Sequence, residues 1–502
     1  MADYVLGIDV GSTAVKVILL SGDGRIVCQS NVSHDLESLH PNWAEEDADV
    51  WWNNVIAGVR EIAYKEPEAV RNIRAVGCSG MVPAIVLLDK NMRPVRKTIQ
   101  QQDARCVEQI EKISKTLDQD KLYARTGGFT NQQHILPRLL WVKENEPGTW
   151  AKVDCVLGSY DWVVYQLTGV KSLEMNWAVE SGSLDIRTQK WITEDLEKFG
   201  IDPAILPPAN PSMKIVGKVL PEAAAKLLIP EDVPVIAGSA DHIASTLSAG
   251  IIEPGDLLIK FGGAGDILYC IDEIKTCPKL FFDYSDIPGK YIVNGCMASS
   301  GSLVKWFTKD ILQSEDPDVL RHLDDEASKL PPASDGLVIL PYFVGEKTPI
   351  FDPTARGVMF GLTLSHTKAH IFRAILESVI YGFKHHVEII ENEMGYKPKQ
   401  IIATNGGSKS RFWCQIASDV LNAPVRSYPH HPGSALGVGF LAGMAVGVYK
   451  DWSEVTKFLT EYELYEPNPE AAKVYSRAYA LYRALYKDLR PCFAMEQELY
   501  RN

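Results

Sequence analysis

"YVLGIDVGSTAVKVILLSGDGRIVCQSNV", residues 4–32, reads as three short strands joined by two tight turns. Val15, Val17 and Leu19 alternate with other residues, which is the period of a half-buried strand. Gly11-Ser12-Thr13 and Gly22-Asp23-Gly24 form the turns, since glycine and small polar residues supply the backbone angles that such turns need. Beyond this meander a helix is expected from about Asp47 to Lys65, with Trp51, Val55, Val59 and Ile62 on one face and Asp47 as its cap. "IRAVGCSG" (73–80) and "AIVLLD" (84–89) read as further strands, so the sheet needs helices on its faces.

A second strand, glycine turn and strand occurs at "GDLLIKFGGAGDILYCID", residues 255–272. Helical patterns dominate later, at Ser365–Met394 and Ser410–Leu421. The two meanders therefore open two similar halves, by pattern and not by identity. "AGIIEPGD", from Ala249, carries the proline and glycine typical of a hinge between them. Trp51 and Trp52 read as core, the His385-His386 pair as a helix surface, and "SEDPD" (314–318) as a solvated turn.

With 502 residues the chain suits two large lobes, and 46% hydrophobic with 23% charged residues is a globular composition. A net charge of −13 disfavours a general nucleic-acid binder, which needs clustered Lys and Arg. Apolar runs are too short to span a membrane, and the acidic start Met1-Ala2-Asp3 is unlike a signal peptide. Nine scattered cysteines without a CxxC pair point away from zinc and disulfide frameworks and toward a reducing cytoplasm.

The common nucleotide motifs are absent: no GxxxxGK[ST] loop, no HRD or DFG set, no GxGxxG after a strand. Four other stretches can carry chemistry. Asp9 ends a strand before a turn whose N–H groups and Ser12 and Thr13 hydroxyls can surround an anion, and a carboxylate beside phosphate is what magnesium takes. Read alone, this is as well a plain hairpin. Asp241, in "GSADHIASTLSAG" (238–250), lies just past a strand in a small-residue segment that begins a helix; it is a candidate general base or simply an N-cap. "ATNGGSKSRFW" (403–413) runs from a strand through Gly406-Gly407 into a helix that Ser408 or Ser410 can cap, leaving bare backbone for a nucleotide or forming only a loop. "KFGGAGD" (260–266) is a second hairpin or a second phosphate cradle.

Taken in order, these stretches resemble the FGGY family of carbohydrate kinases. The match runs through Asp9–Thr13, "PNWAEEDADVWW" (41–52), "LPRLLWV" (136–142), Gly238–Asp241, "RGVMFGLTLSHTKAHIFRAILE" (356–377), "NGGSKSRFW" and "GSALGVGFLAGMAVG" (433–447). The resemblance implies an α/β, actin-like (sugar kinase/Hsp70/actin) ATPase fold with two lobes around a central cleft. Residues 1–250 would form the sugar-binding lobe with the catalytic Asp, and residues 251–502 the nucleotide-binding lobe. It implies ATP and Mg2+, with Asp241 as the base that takes the proton of a sugar hydroxyl and Asp9 orienting the metal. Gly11, Ser12, Thr13 and Lys16 would meet the phosphates on one side and Gly262 and Gly263 on the other. Gly301 and Lys305 fall at nucleotide-side positions, and Gly406, Gly407 and Arg411 would border the adenosine. The turn has Gly263 and Ala264 where many members carry Thr or Ser, and Asp266 sets a carboxylate near phosphate.

Within the family the likeness is strongest to xylulokinases, with two departures. Val82-Pro83-Ala84 stands where these carry Met-His-Gly, and Gln101-Gln102-Asp103 where they carry Trp-Asn-Asp. Val82, Asp103, Gln133, Asp241 and His242 are the expected substrate residues. The acceptor is then a small neutral polyol or ketose: D-xylulose, another pentulose, a tetritol or a pentitol. An actin-like ATPase or a sugar sensor without catalysis shares the fold. A homodimer is compatible with the resemblance, and the sequence does not give the oligomeric state.

Overall fold

The structure is a computed structural model that describes residues 3–38, 40 and 42–499; Met1, Ala2 and Pro41, the first residue of the "PNWAEEDADVWW" stretch, lie outside the described residues. The opening meander forms as read, in strands Tyr4–Val10, Ala14–Ser21 and Ile26–Ser33. Tyr4–Val10 is the pivot: it pairs antiparallel with Ala14–Ser21 and parallel with Ile73–Gly80. Pro234–Ile236 lies parallel outside Ile73–Gly80, and Ile215–Lys218 closes that edge.

The second sheet repeats the plan. Asp256–Phe261 pairs antiparallel with Gly265–Ile271 and parallel with Gln400–Thr404; Tyr291–Met297 and Phe281–Tyr284 extend one side, Val425–Ser427 and Glu463–Tyr465 the other. Parallel neighbours need long crossovers, and helices supply them. The helix Ala48–Lys65, capped by Asp47 through the Asp49 N–H, buries Trp51, Val55, Val59 and Ile62 against the first sheet. The long helix Lys368–Asn392 and Arg411–Leu421, capped by the Ser410 hydroxyl, cover the second.

The two sheets do not keep to separate halves of the chain. Ser434–Ala445 returns to the first sheet and packs with Val5, Leu20 and Ala75, because its glycines let backbones meet. A Cβ on Gly7 would sit 2.0 Å from the Ala435 carbonyl oxygen, and one on Gly437 would sit 1.9 Å from that of Ala244. No other residue fits at either crossing.

The histidine pair corrects the sequence reading. His385 and His386 are buried, not on a surface. His386 binds Thr348 Oγ1 at 2.9 Å and the Gly382 carbonyl at 2.8 Å, and burial holds it neutral by pushing its pKa down to about 4. Apolar periodicity cannot register a histidine whose partner is 38 residues away. "SEDPD" is mostly exposed, and no helix among the described residues is long and apolar enough to cross a membrane.

Candidate active site

The alternation of the first strand places Leu6, Ile8 and Val10 on the face toward Trp51, so Val5, Gly7 and Asp9 look the other way, toward Ser434–Ala445. Asp9 thereby ends buried, with its Oδ1 accepting from Ser79 Oγ at 2.9 Å. Burial and then the charge of Asp241 raise its pKa, against hydrogen bonds from Ser434 and Ser79 and the charge of Lys16. Two carboxylates that repel one another offer hard oxygens suited to a divalent cation.

Asp241 follows the short strand Ser239–Ala240 and is the first residue of the helix Asp241–Ser248. It does not cap that helix: Ala240 holds the cap position without a side-chain bond. Burial works against its charge, and His242 and Lys260 outweigh burial, so the pKa lies below the ordinary value. A carboxylate kept ionised can accept a proton.

His242 is the hub of an ionic cluster. Its Nδ1 is 3.5 Å from Asp241 Oδ1, its Nε2 3.2 Å from Asp283 Oδ2 and 3.9 Å from Glu180 Oε1. Burial would neutralise the ring, but the three carboxylates, Asp283 first, raise its pKa well above 6.5 and keep it an imidazolium. Glu180 pays for this crowding: burial and Asp283 push its pKa up to about 8. Glu180, His242 and Asp283 have ligand atoms all within 4.8 Å of one another, the only such group among the described residues that could hold a metal ion.

The donor side is a cleft of about 1980 Å³ between the two sheets. Lys16, Gly262, Gly263, Gly301 and Lys305 line it, as do Gly406, Gly407 and Arg411. Gly11, Ser12 and Thr13 stand outside that lining, at the head of the first hairpin, where the Gly11 N–H donates to the Ala14 carbonyl at 3.0 Å. Glycine is needed at these positions for different reasons. The Gly262 and Gly263 carbonyls accept from the N–H groups of Ser300, Gly301 and Ser302, and a Cβ on Gly301 would lie 2.7 Å from the Gly262 oxygen. Gly407 is filled by Trp413 and Phe261, whereas Gly263 and Gly406 face open space. Arg411 is exposed and anchored by Glu463 at 2.5 Å.

The acceptor-side residues do not line that cleft. Val82 is buried in the first core, and Gln133 is half-buried. Asp103 is wholly buried and both its oxygens are committed, to the Ala44 N–H at 2.7 Å and to Arg105 at 2.6 and 2.8 Å. Arg105 in turn lies 3.8 Å over the Trp43 ring and pairs with Glu45 at 2.7 Å, which explains why "NWAEE" and "DARC" occur together. Sequence reasoning missed Arg138, whose buried guanidinium donates to the carbonyls of Pro83, Gln101 and Gln132 and ties together the three loops that carry Val82, Asp103 and Gln133. A lone arginine in the apolar "LPRLLWV" was the available signal. Glu180 and Asp283 had none, being brought to His242 from 62 and 41 positions away by the fold.

Two lobes on one strand plan, with a nucleotide-sized cleft between them, make an actin-like ATPase fold. The chain belongs to the FGGY family of carbohydrate kinases, whose N-terminal domain matches residues 4–248 and whose C-terminal domain matches residues 281–446. It is thus an ATP-dependent phosphotransferase acting on a sugar hydroxyl. It is 29% identical to the xylulose kinase of Bacillus subtilis over 497 residues, covering 97% of this chain and 98% of that one. Against the gluconokinase of the same organism it is 28% identical over 486 residues, covering 95% and 94%. The crystal structure of xylulose kinase from Rhodospirillum rubrum superposes with a TM-score of 0.93 at 38% identity, covering 98% of this chain and all of that one.

Proposed function

We propose that this kinase phosphorylates a small neutral ketose or polyol, with D-xylulose one candidate among pentuloses, tetritols and pentitols. The observation that carries the reading is the acidity around Asp241: the carboxyl groups of Asp241, Glu180 and Asp283 all lie within 4 Å of the His242 ring. A sugar acid would bring another negative charge into that cluster, whereas a neutral polyol can accept from the imidazolium and donate to the carboxylates.

In this reading Asp241 takes the proton of the attacking hydroxyl, the new bond forms between that oxygen and the γ-phosphorus, and the bond to the ADP oxygen breaks in line. Asp9 would hold magnesium, mostly through waters; a bound magnesium ion neutralises charge on the phosphates. Gly11, Ser12, Thr13 and Lys16 face phosphate from the first lobe, Gly262 and Gly263 from the second. Gly301 and Lys305, with Gly406, Gly407 and Arg411, receive the rest of the nucleotide. Val82, Gln133 and His242 border the acceptor, and Asp103 keeps that wall in shape through Arg105. We take the lobes to be residues 1–250 and 251–502, with Ser434–Ala445 crossing back, and the working form to be a cytoplasmic enzyme, as a homodimer.

The test is ADP release measured against D-xylulose, other pentuloses, tetritols, pentitols and gluconate. A neutral acceptor should win, with Asp241→Asn slower by about a hundred- to ten-thousandfold and ATP affinity nearly unchanged. Preference for gluconate would overturn the neutral pocket, strong preference for D-xylulose would show that the changed 82–84 wall leaves specificity alone, and full turnover in Asp241→Asn would remove the base.

A further inference from the structure

The repeated strand plan exposes a relation between two residues that the sequence does not align. In each half the pivot strand runs into a glycine turn, and the last residue but one of that strand is charged: Asp9 before Val10-Gly11, Lys260 before Phe261-Gly262. Each is paired across its hairpin with the opposite charge, Asp9 with Lys16 and Lys260 with Asp266, and each sits beside a hydroxyl on its parallel neighbour, Ser79 or Thr404. The second half therefore carries the first half's arrangement with its charges inverted.

The direction of Lys260 follows from the same alternation. Leu257, Ile259 and Phe261 point into the second lobe's own core, while Leu258 packs with the first lobe's core, so Lys260 points toward the first lobe. It is about nine-tenths buried, with Nζ 3.4 Å from Asp266 Oδ2. Burial opposes its charge, but Asp266 and Asp241 outweigh burial and hold the ammonium above the usual lysine range. Burial, and to a lesser degree the same charge, lower the pKa of His431, which lines the cleft. Lys260 therefore lies on the strand face turned to the first lobe, directly before Phe261, Gly262 and Gly263, which line the cleft.

We propose that Lys260 is a further catalytic residue of this kinase: its ammonium contacts the phosphoryl group passing from ATP to the acceptor oxygen, replacing the hydroxyl that Gly263 and Ala264 lack. This rests on Asp241 being the base. No proton moves through Lys260; the acceptor proton goes to Asp241, the bond from the γ-phosphorus to the ADP oxygen breaks, and Lys260 contributes charge where negative charge gathers on the three equatorial oxygens. Asp266 then has a definite task, keeping a buried lysine charged while the cleft is empty. A hairpin pair with only a structural role would gain nothing from being buried on the face turned to the first lobe, since hydrophobic residues often replace such pairs without loss.

The experiment compares Lys260→Met, Lys260→Arg, Lys260→Gln and Asp266→Asn with the unaltered enzyme. Turnover is measured with ATP and the best acceptor of the panel, and binding of ADP alone and of ADP with aluminium fluoride by calorimetry. Lys260→Met and Lys260→Gln should lower kcat on the order of a hundred- to a thousandfold and weaken ADP with aluminium fluoride in parallel, with ADP alone little changed. Arginine should restore part of the loss, and Asp266→Asn should cost less than any neutral Lys260 variant. Near-normal kcat in the Lys260 variants overturns the proposal; so does an equal loss in Lys260→Met and Asp266→Asn with matching drops in melting temperature, the signature of a scaffold pair. If the unaltered enzyme turns over no acceptor, the acceptor reading fails while the aluminium fluoride measurement still decides Lys260.

Discussion

Glu346 shows how a single buried carboxyl shapes the protein's response to pH. It is 6% exposed, its Oε1 accepts from the N–H groups of Ala298 and Lys347 at 2.6 and 2.8 Å, and burial still pushes its pKa up to about 8. The unfolded chain releases this proton near pH 4.5, so between about pH 4.5 and 8 the folded state binds more protons and stability falls as pH rises. Glu346→Gln has no proton to release. Its denaturant midpoint should fall less steeply from about pH 5 to pH 8 than that of the unaltered protein, in which Glu180 and Asp286 add to the slope. Identical slopes would mean that Glu346 is ionised in the folded state. At this scale the sequence reading was uneven: Asp9 and Asp241 stood out by their place after strands, whereas Lys260 was passed over inside a turn read for its glycines. Its importance depends on which face of the strand meets the other lobe, and a local pattern does not contain that.

Among the elements, the helix Ser434–Ala445 couples the architecture to the chemistry. It touches the strand that carries Asp9 through Gly7, and the helix that begins with Asp241 through Gly437. Gly437→Ala would drive a methyl group into the Ala244 carbonyl, three residues beyond Asp241. We expect a stability loss of about 1–3 kcal/mol in denaturant unfolding, together with reduced kcat because the base helix must shift. Gly148→Ala, where a Cβ meets nothing within 4 Å, serves as the control and should change stability by less than about 0.5 kcal/mol. Full turnover in Gly437→Ala would show that the base tolerates movement of its helix. The strands Tyr4–Val10 and Ile73–Gly80 and the helix from Ala48 to Lys65 were legible in advance because amphipathic period and capping are local. The long return of residues 434–445 to the first sheet was not, since a helix apolar on all sides names no partner.

For the whole molecule, the size of the cleft sets the expectation. About 1980 Å³ is larger than the roughly 300–1,000 Å³ of an ordinary small-molecule pocket, and an open cleft admits water to the γ-phosphate. The lobes should therefore close when both substrates are present. Small-angle scattering should record a smaller radius of gyration with a non-hydrolysable ATP analogue and acceptor together than with either alone. An unchanged profile would mean that water is excluded without lobe movement. The fold class was legible at this scale because seven separated motifs in a fixed order specify one architecture.

The sequence by itself determined the two meanders, the family they belong to, and the acid at each of two strand ends, because strand period, turn chemistry and motif order are written locally. Only the tertiary structure decided how these parts meet. It committed Asp103 to Arg105, buried the His385-His386 pair, gathered Glu180 and Asp283 around His242, and set Asp266 against Lys260. Each of those outcomes takes a charge or a polar ring out of water, and only the folded packing decides which groups are buried and which partners, near or far in the chain, offset the cost.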